Sequence, residues 1–209
     1  MKKGVLLRKL HMEGTEFVTS EEMKKHCGTL GLNYGTMVRS LLSRGHLVRV
    51  FRGVFYVKSP EIELAAAKRS PLELVAKGLE LKGVKSWYFG LHTALKLNNL
   101  THEHFAVDEV INDKIFRARA MTIAGREFRF IKVKPSLLSF GVVGDELKYS
   151  DPEKTILDFI YLWRYGGVPD EKIAMDVSDW ARGLSSSRMR NYLKWYPDTV
   201  KRIAEEVMG

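Results

Sequence analysis

Two groups of side chains have the types and spacing that catalysis or metal binding needs. His102, His104, Asp108 and Glu109 form a His-x-His pair followed by two carboxylates. Imidazole and carboxylate both bind divalent ions, but no third histidine is close enough to complete a ligand set. Surface placement explains the pair more simply, so no metal ligand is assigned. Asp151, Glu153 and Asp158 form the second group. They fall where Ser150-Asp151-Pro152-Glu153 takes the form of a capping box. Cap, dipole partner and ordinary helix surface are therefore their expected roles. The chain contains no P-loop, no Gly-x-Gly-x-x-Gly and no Gly-x-Ser-x-Gly. Its single cysteine, Cys27, rules out an internal disulfide and a cysteine-rich zinc site, and is expected to be a small buried apolar residue. No catalytic residue and no cofactor site is assigned, and the chain is expected not to be an enzyme.

A third group suits nucleic acid. Thr36, Arg39, Ser40 and Ser43 recur at a spacing that puts them on one side of a helix, opposite an apolar stripe of Tyr34, Val38, Leu41 and Leu42. A helix in a major groove needs such a face. Its small side chains permit close approach, and an arginine can make two bonds to the O6 and N7 of guanine. Asn33, a favourable N-cap, precedes the helix. Lys24 and Lys25 lie on the helix before it, and Arg49 and Arg52 on the hairpin after it. These nine residues (Lys24, Lys25, Asn33, Thr36, Arg39, Ser40, Ser43, Arg49 and Arg52) are the expected DNA-binding set.

The elements that must position them are compact. Val5, Leu6, Leu7 and Leu10 open the chain with an amphipathic stretch, the 5/6/10 spacing marking one face. Thr19 and Glu22 have capping-box spacing, which predicts a helix from about Ser20 that passes through Met23 and Cys27 and stops before Gly31. The Asn33 helix closes at Arg44-Gly45. His46–Val50 and Val54–Val57 then read as strands joined by Phe51-Arg52-Gly53. Three helices and a basic hairpin in under sixty residues give the winged helix-turn-helix order, with the hairpin as a wing for phosphate or the minor groove. The expected boundaries are 1–59 for this domain and 60–209 for a mixed helix–sheet domain that ends in helices, an α/β (α+β) chain of two domains.

In the second region Glu61–Arg69 predicts a connecting helix, and Ser70-Pro71-Leu72-Glu73 opens another. Trp87–Phe89 reads as a strand and Gly90–Leu97 as a helix. Phe105–Val107, Val110-Ile111, Phe116–Ile123, Phe128–Val133 and Leu138–Val143 read as strands, with a turn at Ala124-Gly125-Arg126. Helical patterns follow from Pro152, then near 170–181, 186–194 and 198–207, with Trp163, Trp180 and Trp195 expected in the core.

Charge supports the division. Residues 1–58 hold 11 Lys and Arg against 4 Asp and Glu, an excess of seven out of the chain's net +9. A basic compact domain beside a near-neutral one points to a polyanion, nucleic acid before an anionic membrane surface. No apolar run reaches the length of a membrane span, and Arg8, Lys9 and His11 interrupt what would have to be a signal-peptide core. A cytoplasmic protein without a membrane partner is expected.

Three segments in order carry a family resemblance: Arg52-Gly53-Val54-Phe55-Tyr56-Val57, Gly90-Leu91-His92-Thr93-Ala94-Leu95 and Ser150-Asp151-Pro152-Glu153-Lys154-Thr155-Ile156-Leu157-Asp158. Together they resemble the AbiEi family, antitoxin-type transcriptional regulators of abortive-infection (type IV) toxin–antitoxin systems. The resemblance implies a repressor whose winged helix binds inverted repeats in its own promoter. It also implies a C-terminal domain that counters a nucleotidyltransferase-like toxin, with Asp151–Thr155 as a structural signature. The competing expectation is a nuclease-like enzyme targeted by the winged helix, for which Asp108, Glu109 and Lys114 are the nearest approach to a carboxylate–lysine set. A protein-binding scaffold that never touches DNA is the third.

Overall fold

The structure, a computed structural model, describes residues 2–58 and 69–209. The expected boundary at 59/60 and nearly all of the expected connecting helix, Glu61–Arg69, lie outside the described residues. The chain is mixed α/β and divides into two compact units, Met1–Gly83 with Thr122–Gly125 and Val84–Met121 with Arg126–Gly209.

The first unit runs α1 (Lys2–Met12), β1 (Phe17–Thr19), α2 (Ser20–Thr29), α3 (Tyr34–Ser43), β2 (Leu47–Phe51), β3 (Val54–Val57) and α4 (Pro71–Leu81). Its sheet is antiparallel in the order β1-β3-β2, with Phe17 opposite Tyr56 and Leu47 opposite Val57. Leu6, Leu10, Val18, Met23, Cys27, Met37, Val38, Leu41 and Phe55 form the core beneath it. This is the winged-helix arrangement. Three details differ from expectation. Val5 is 48% exposed, because Leu6 and Leu10 are the residues of α1 that face the core. In α3 the buried line is Met37, Val38 and Leu41, which leaves Tyr34 and Leu42 half-buried at its edges. β1 is an added strand, formed by pairing with β3 across some forty residues.

The wing is tight. A bulge between Arg49 and Phe51 keeps Phe51 in β2, so the turn is Arg52-Gly53, with Gly53 at φ +83°. α4 begins with the capping box Ser70/Glu73 and Pro71 in its first turn. Its Gly78 lies against β2: a Cβ there would come within 2.6 Å of Val50 and 2.8 Å of Phe51. That close approach makes α4 part of the first unit, which therefore extends past the expected limit to Gly83.

The remaining elements are β4 (Trp87–Gly90), α5 (Leu91–Leu97), β5 (Val107–Asn112), β6 (Met121–Ile123), β7 (Arg126–Lys132), β8 (Val142–Val143), β9 (Tyr149–Ser150), α6 (Pro152–Tyr165), α7 (Asp170–Ala181), α8 (Ser186–Leu193) and α9 (Asp198–Met208), all in the second unit except Thr122 and Ile123 of β6. The sheet order is β6-β7-β5-β4-β9-β8. It is mixed: β5 runs parallel to β7 and antiparallel to β4. Ile156, Leu157, Phe159 and Ile160 of α6 lie at the core with Tyr88, Leu95, Ile111, Ile173 and Ile203. Of the two runs expected at Phe105–Val107 and Val110-Ile111, Val107, Val110 and Ile111 lie on the single strand β5, and Phe105 and Ala106 precede it. Residues 116–120 form a loop. Leu138–Val143 gives only the end of a 3-10 turn and the two residues of β8. Trp195 is 43% exposed rather than in the core, with its ring stacked 5.8 Å from Phe140.

Candidate nucleic-acid interface

Local hydrogen bonding fixes both helices of the helix-turn-helix. Thr19 caps α2: its Oγ1 accepts from the Glu22 N–H at 3.3 Å, and the Glu22 carboxylate accepts from the Thr19 N–H at 2.8 Å. That backbone bond holds the Glu22 carboxyl below its ordinary value. Asn33 caps α3, its Oδ1 accepting from the Thr36 N–H at 2.9 Å. The wing turn is tied to α2, because the Ser20 N–H donates to the Gly53 carbonyl at 2.8 Å. Lys82 adds a bond to the Arg52 carbonyl at 3.3 Å. Tyr34 at the start of α3 shares a hydroxyl bond of 2.8 Å with Ser20, and Lys24 lies over its ring at 5.6 Å. The turn and both helix starts therefore form one bonded assembly.

On this frame Thr36, Arg39 and Ser43 are exposed along one side of α3, and Ser40 between them is half-buried. Ser43 Oγ donates back to the Ser40 carbonyl, and the Asn33 Oδ1 is committed to the cap, so Thr36 and Arg39 are the freer groups. Lys24, Lys25, Arg49 and Arg52 are exposed, Arg49 lying 5.8 Å over the Phe55 ring. Three of the four acids in residues 1–58 are engaged elsewhere, and Glu21 is exposed in the first turn of α2. Glu13 meets Lys9 and His26, Glu16 meets Arg69 and Glu22 closes its cap. Among the described residues, none of Lys24, Lys25, Arg39, Arg44, Arg49 and Arg52 has a carboxylate within 4.0 Å. A cationic face that its own fold leaves unneutralised attracts polyanions.

The carboxylates of the second unit are bonded internally, and here the expectation of ordinary helix surface is corrected. Asp151, not Ser150, caps α6, with Oδ1 accepting from the Lys154 N–H at 2.8 Å and Oδ2 from Tyr192 at 2.7 Å. Burial raises the Asp151 carboxyl, and burial together with Asp151 pushes the Tyr192 phenol up to about 12. Asp158 is 2% exposed and accepts from Tyr88 and Tyr196 at 2.7 Å each and from Lys154 Nζ at 3.2 Å. Burial, then the charge of Asp158, raises both phenols far above their ordinary value. Burial lowers Lys154, with Asp158 opposing that shift. Phe140 closes over the ammonium at 4.3 Å. Glu153 accepts from the Ser185 N–H and from Arg188. The Asp151–Asp158 segment thus stitches α6 to β4, α8 and the α8–α9 connection.

Asp108 and Glu109 are also buried, and they have different partners. Arg126 donates to Asp108 at 2.7 Å and Thr93 at 3.2 Å, while His92 Nδ1 lies 3.1 Å from Glu109. Lys114, the third residue of the nuclease-like expectation, is exposed beyond the end of β5, whereas Asp108 and Glu109 are buried near its start. His102 and His104 are exposed on a loop, and no group of three or more potential metal-binding side chains occurs among the described residues. No helix among them is long and apolar enough to cross a membrane.

No protein-family model and no curated protein matches the chain. Among solved structures it is similar to the Rv2827c protein of Mycobacterium tuberculosis, at 13% identity and a TM-score of 0.60, over 97% of this chain and 74% of that one. At that identity the likeness concerns the fold alone.

Proposed function

We propose that this chain is a cytoplasmic DNA-binding transcriptional regulator of the AbiEi kind. Its winged helix binds inverted repeats in its own promoter, and its C-terminal unit counters a nucleotidyltransferase-like toxin encoded beside it. No step of this function is enzymatic. The observation that supports DNA binding best is the set of six cations around α2, α3 and the wing without carboxylate partners, beside the short polar face of Thr36, Arg39 and Ser43. The antitoxin part rests on the three resembling segments.

The test is fluorescence-anisotropy titration of the full chain against the DNA upstream of its gene and a scrambled duplex, at several salt concentrations. With four or five phosphates neutralised per chain, log affinity should fall with log salt at a slope of about −4. The upstream DNA should be preferred at every salt concentration. Equal binding of both duplexes, or a slope near zero, refutes the regulator reading. Co-expression with the adjacent gene tests the antitoxin half separately.

A further inference from the structure

In the second unit, the loop between β5 and β6 combines features the proposed regulator does not use. Residues 114–119 read Lys-Ile-Phe-Arg-Ala-Arg. Phe116 is 69% exposed, and Lys114, Arg117 and Arg119 are exposed around it. Neither Arg117 nor Arg119 has a carboxylate within 4.0 Å among the described residues. The acid next to the segment in sequence is Asp113, whose Oδ1 is turned inward out of solvent.

The loop is held in shape from beneath. Asn112, fully buried at the end of β5, donates to the carbonyls of Ile115 and Ile131 and accepts from the N–H groups of Lys114 and Ile115. The Arg117 N–H then donates to the Phe130 carbonyl at 3.3 Å, which ties the loop to β7. There Arg129 and Lys132 are exposed, with Glu127 as the only acid of that strand. Four hydrogen bonds from one buried amide mean that the exposed phenylalanine and its arginines are presented on a fixed base. An aromatic ring open to water between cations is what an unpaired base and its flanking phosphates require: the ring stacks on the base and the cations meet the backbone. A duplex keeps its bases stacked on one another and offers no face to Phe116.

We propose that this loop is a second nucleic-acid site, separate from the winged helix, that binds single-stranded nucleic acid by stacking a base on Phe116 and pairing phosphates with Arg117 and Arg119. The ligand class is an unpaired stretch of RNA or of DNA.

The full chain and its variants are titrated by fluorescence anisotropy against labelled oligothymidylate and oligouridylate of about 15 nucleotides, and against a duplex from upstream of the gene. Phe116→Ala should weaken both single strands about tenfold and leave the duplex unchanged, and Phe116→Trp should restore binding. Arg117→Ala with Arg119→Ala should reduce the salt slope for single strands by about 1.4. The tighter of the two oligonucleotides identifies RNA or DNA as the source. All the substituted side chains are exposed, and an unchanged circular-dichroism melting curve confirms the fold. Undiminished single-strand binding by Phe116→Ala, or equal loss on duplex and single strand, overturns the proposal. So does a dimer of the parent chain that Phe116→Ala converts to monomer in sedimentation, since a second copy would then be the occupant of the loop.

Discussion

Arg39 and Arg52 are both exposed cations of the winged helix, yet their surroundings assign them different work. Arg39 stands on a helix face between Thr36 and Ser43, where its guanidinium can reach a base edge. Arg52 stands on a two-residue turn whose backbone is tied to Ser20 and Lys82, a fixed point suited to phosphate. Arg39→Ala should therefore cost about 1–3 kcal/mol on the upstream DNA and relax preference at one base pair. Arg52→Ala should weaken specific and scrambled duplexes about equally and make the salt slope shallower by about one. Titration of both variants on both duplexes separates the two, and equal weakening by Arg39→Ala would show that α3 does not read sequence. At Asp158 the residue-scale effect is on stability. Asp158→Asn leaves the Lys154 ammonium buried without its counter-charge, so the variant should lose about 3–5 kcal/mol in urea unfolding. A loss under about 1 kcal/mol would mean that Lys154 is not charged in the folded protein.

At the scale of elements, α6 and the segments around it form a device for keeping phenols neutral. Tyr88, Tyr196 and Tyr192 all have raised pKa values in the fold, by burial first and then by Asp158 or Asp151. A raised folded-state value means that the stability these groups contribute is complete below the ordinary phenol value of 10 and is lost as pH rises above it, because the unfolded chain then releases protons that the folded chain retains. Lys154, lowered, acts in the opposite sense over the range below 10.5, but it is one group against four, since burial also raises Tyr161 of α6. The guanidinium midpoint should consequently fall from about pH 10 upward. It should fall less steeply in Tyr88→Phe with Tyr196→Phe, and an equal slope in that variant would rule out the two phenols as the cause.

The same elements show what the sequence could and could not reveal. The caps at Thr19, Asn33 and Ser70 were legible because each is closed within four residues. The second-unit network was not, since Tyr88 and Tyr196 lie 70 and 38 residues from Asp158 and nothing local distinguishes a buried Lys154 from a solvated one. Strands β1, β8 and β9 have two or three residues each, too few for alternation to register, and β1 and β9 depend on pairing with the distant β3 and β4. The basic face of the winged helix was legible in outline because charge and helical period are both local. The half-burial of Ser40 and the tying of the wing to Ser20 were not.

For the whole molecule, the distribution of charge matches the division of the two proposed tasks. The first 58 residues hold an excess of seven positive charges with three of their four carboxylates engaged elsewhere, whereas the second unit uses Asp108, Asp151, Glu153 and Asp158 to bind its own elements together. The two proposed roles, repressor and antitoxin, then need not share residues. Arg39→Ala with Arg52→Ala, in the full chain, should abolish repression of a reporter driven by the upstream DNA. Additivity of two distant exposed sites puts the combined loss at about 2–4 kcal/mol in DNA affinity, or 30- to 1,000-fold. The fold should survive, because surface substitutions of this kind usually cost under about 0.5 kcal/mol. Growth rescue on co-expression with the proposed toxin should stay at the level of the parent chain, since neither arginine belongs to the second unit. The measurement is the pair of assays in one strain background: reporter output and survival. Rescue that disappears together with repression would mean that the winged helix itself engages the toxin or its target, and the division of labour drawn from the charges would be wrong.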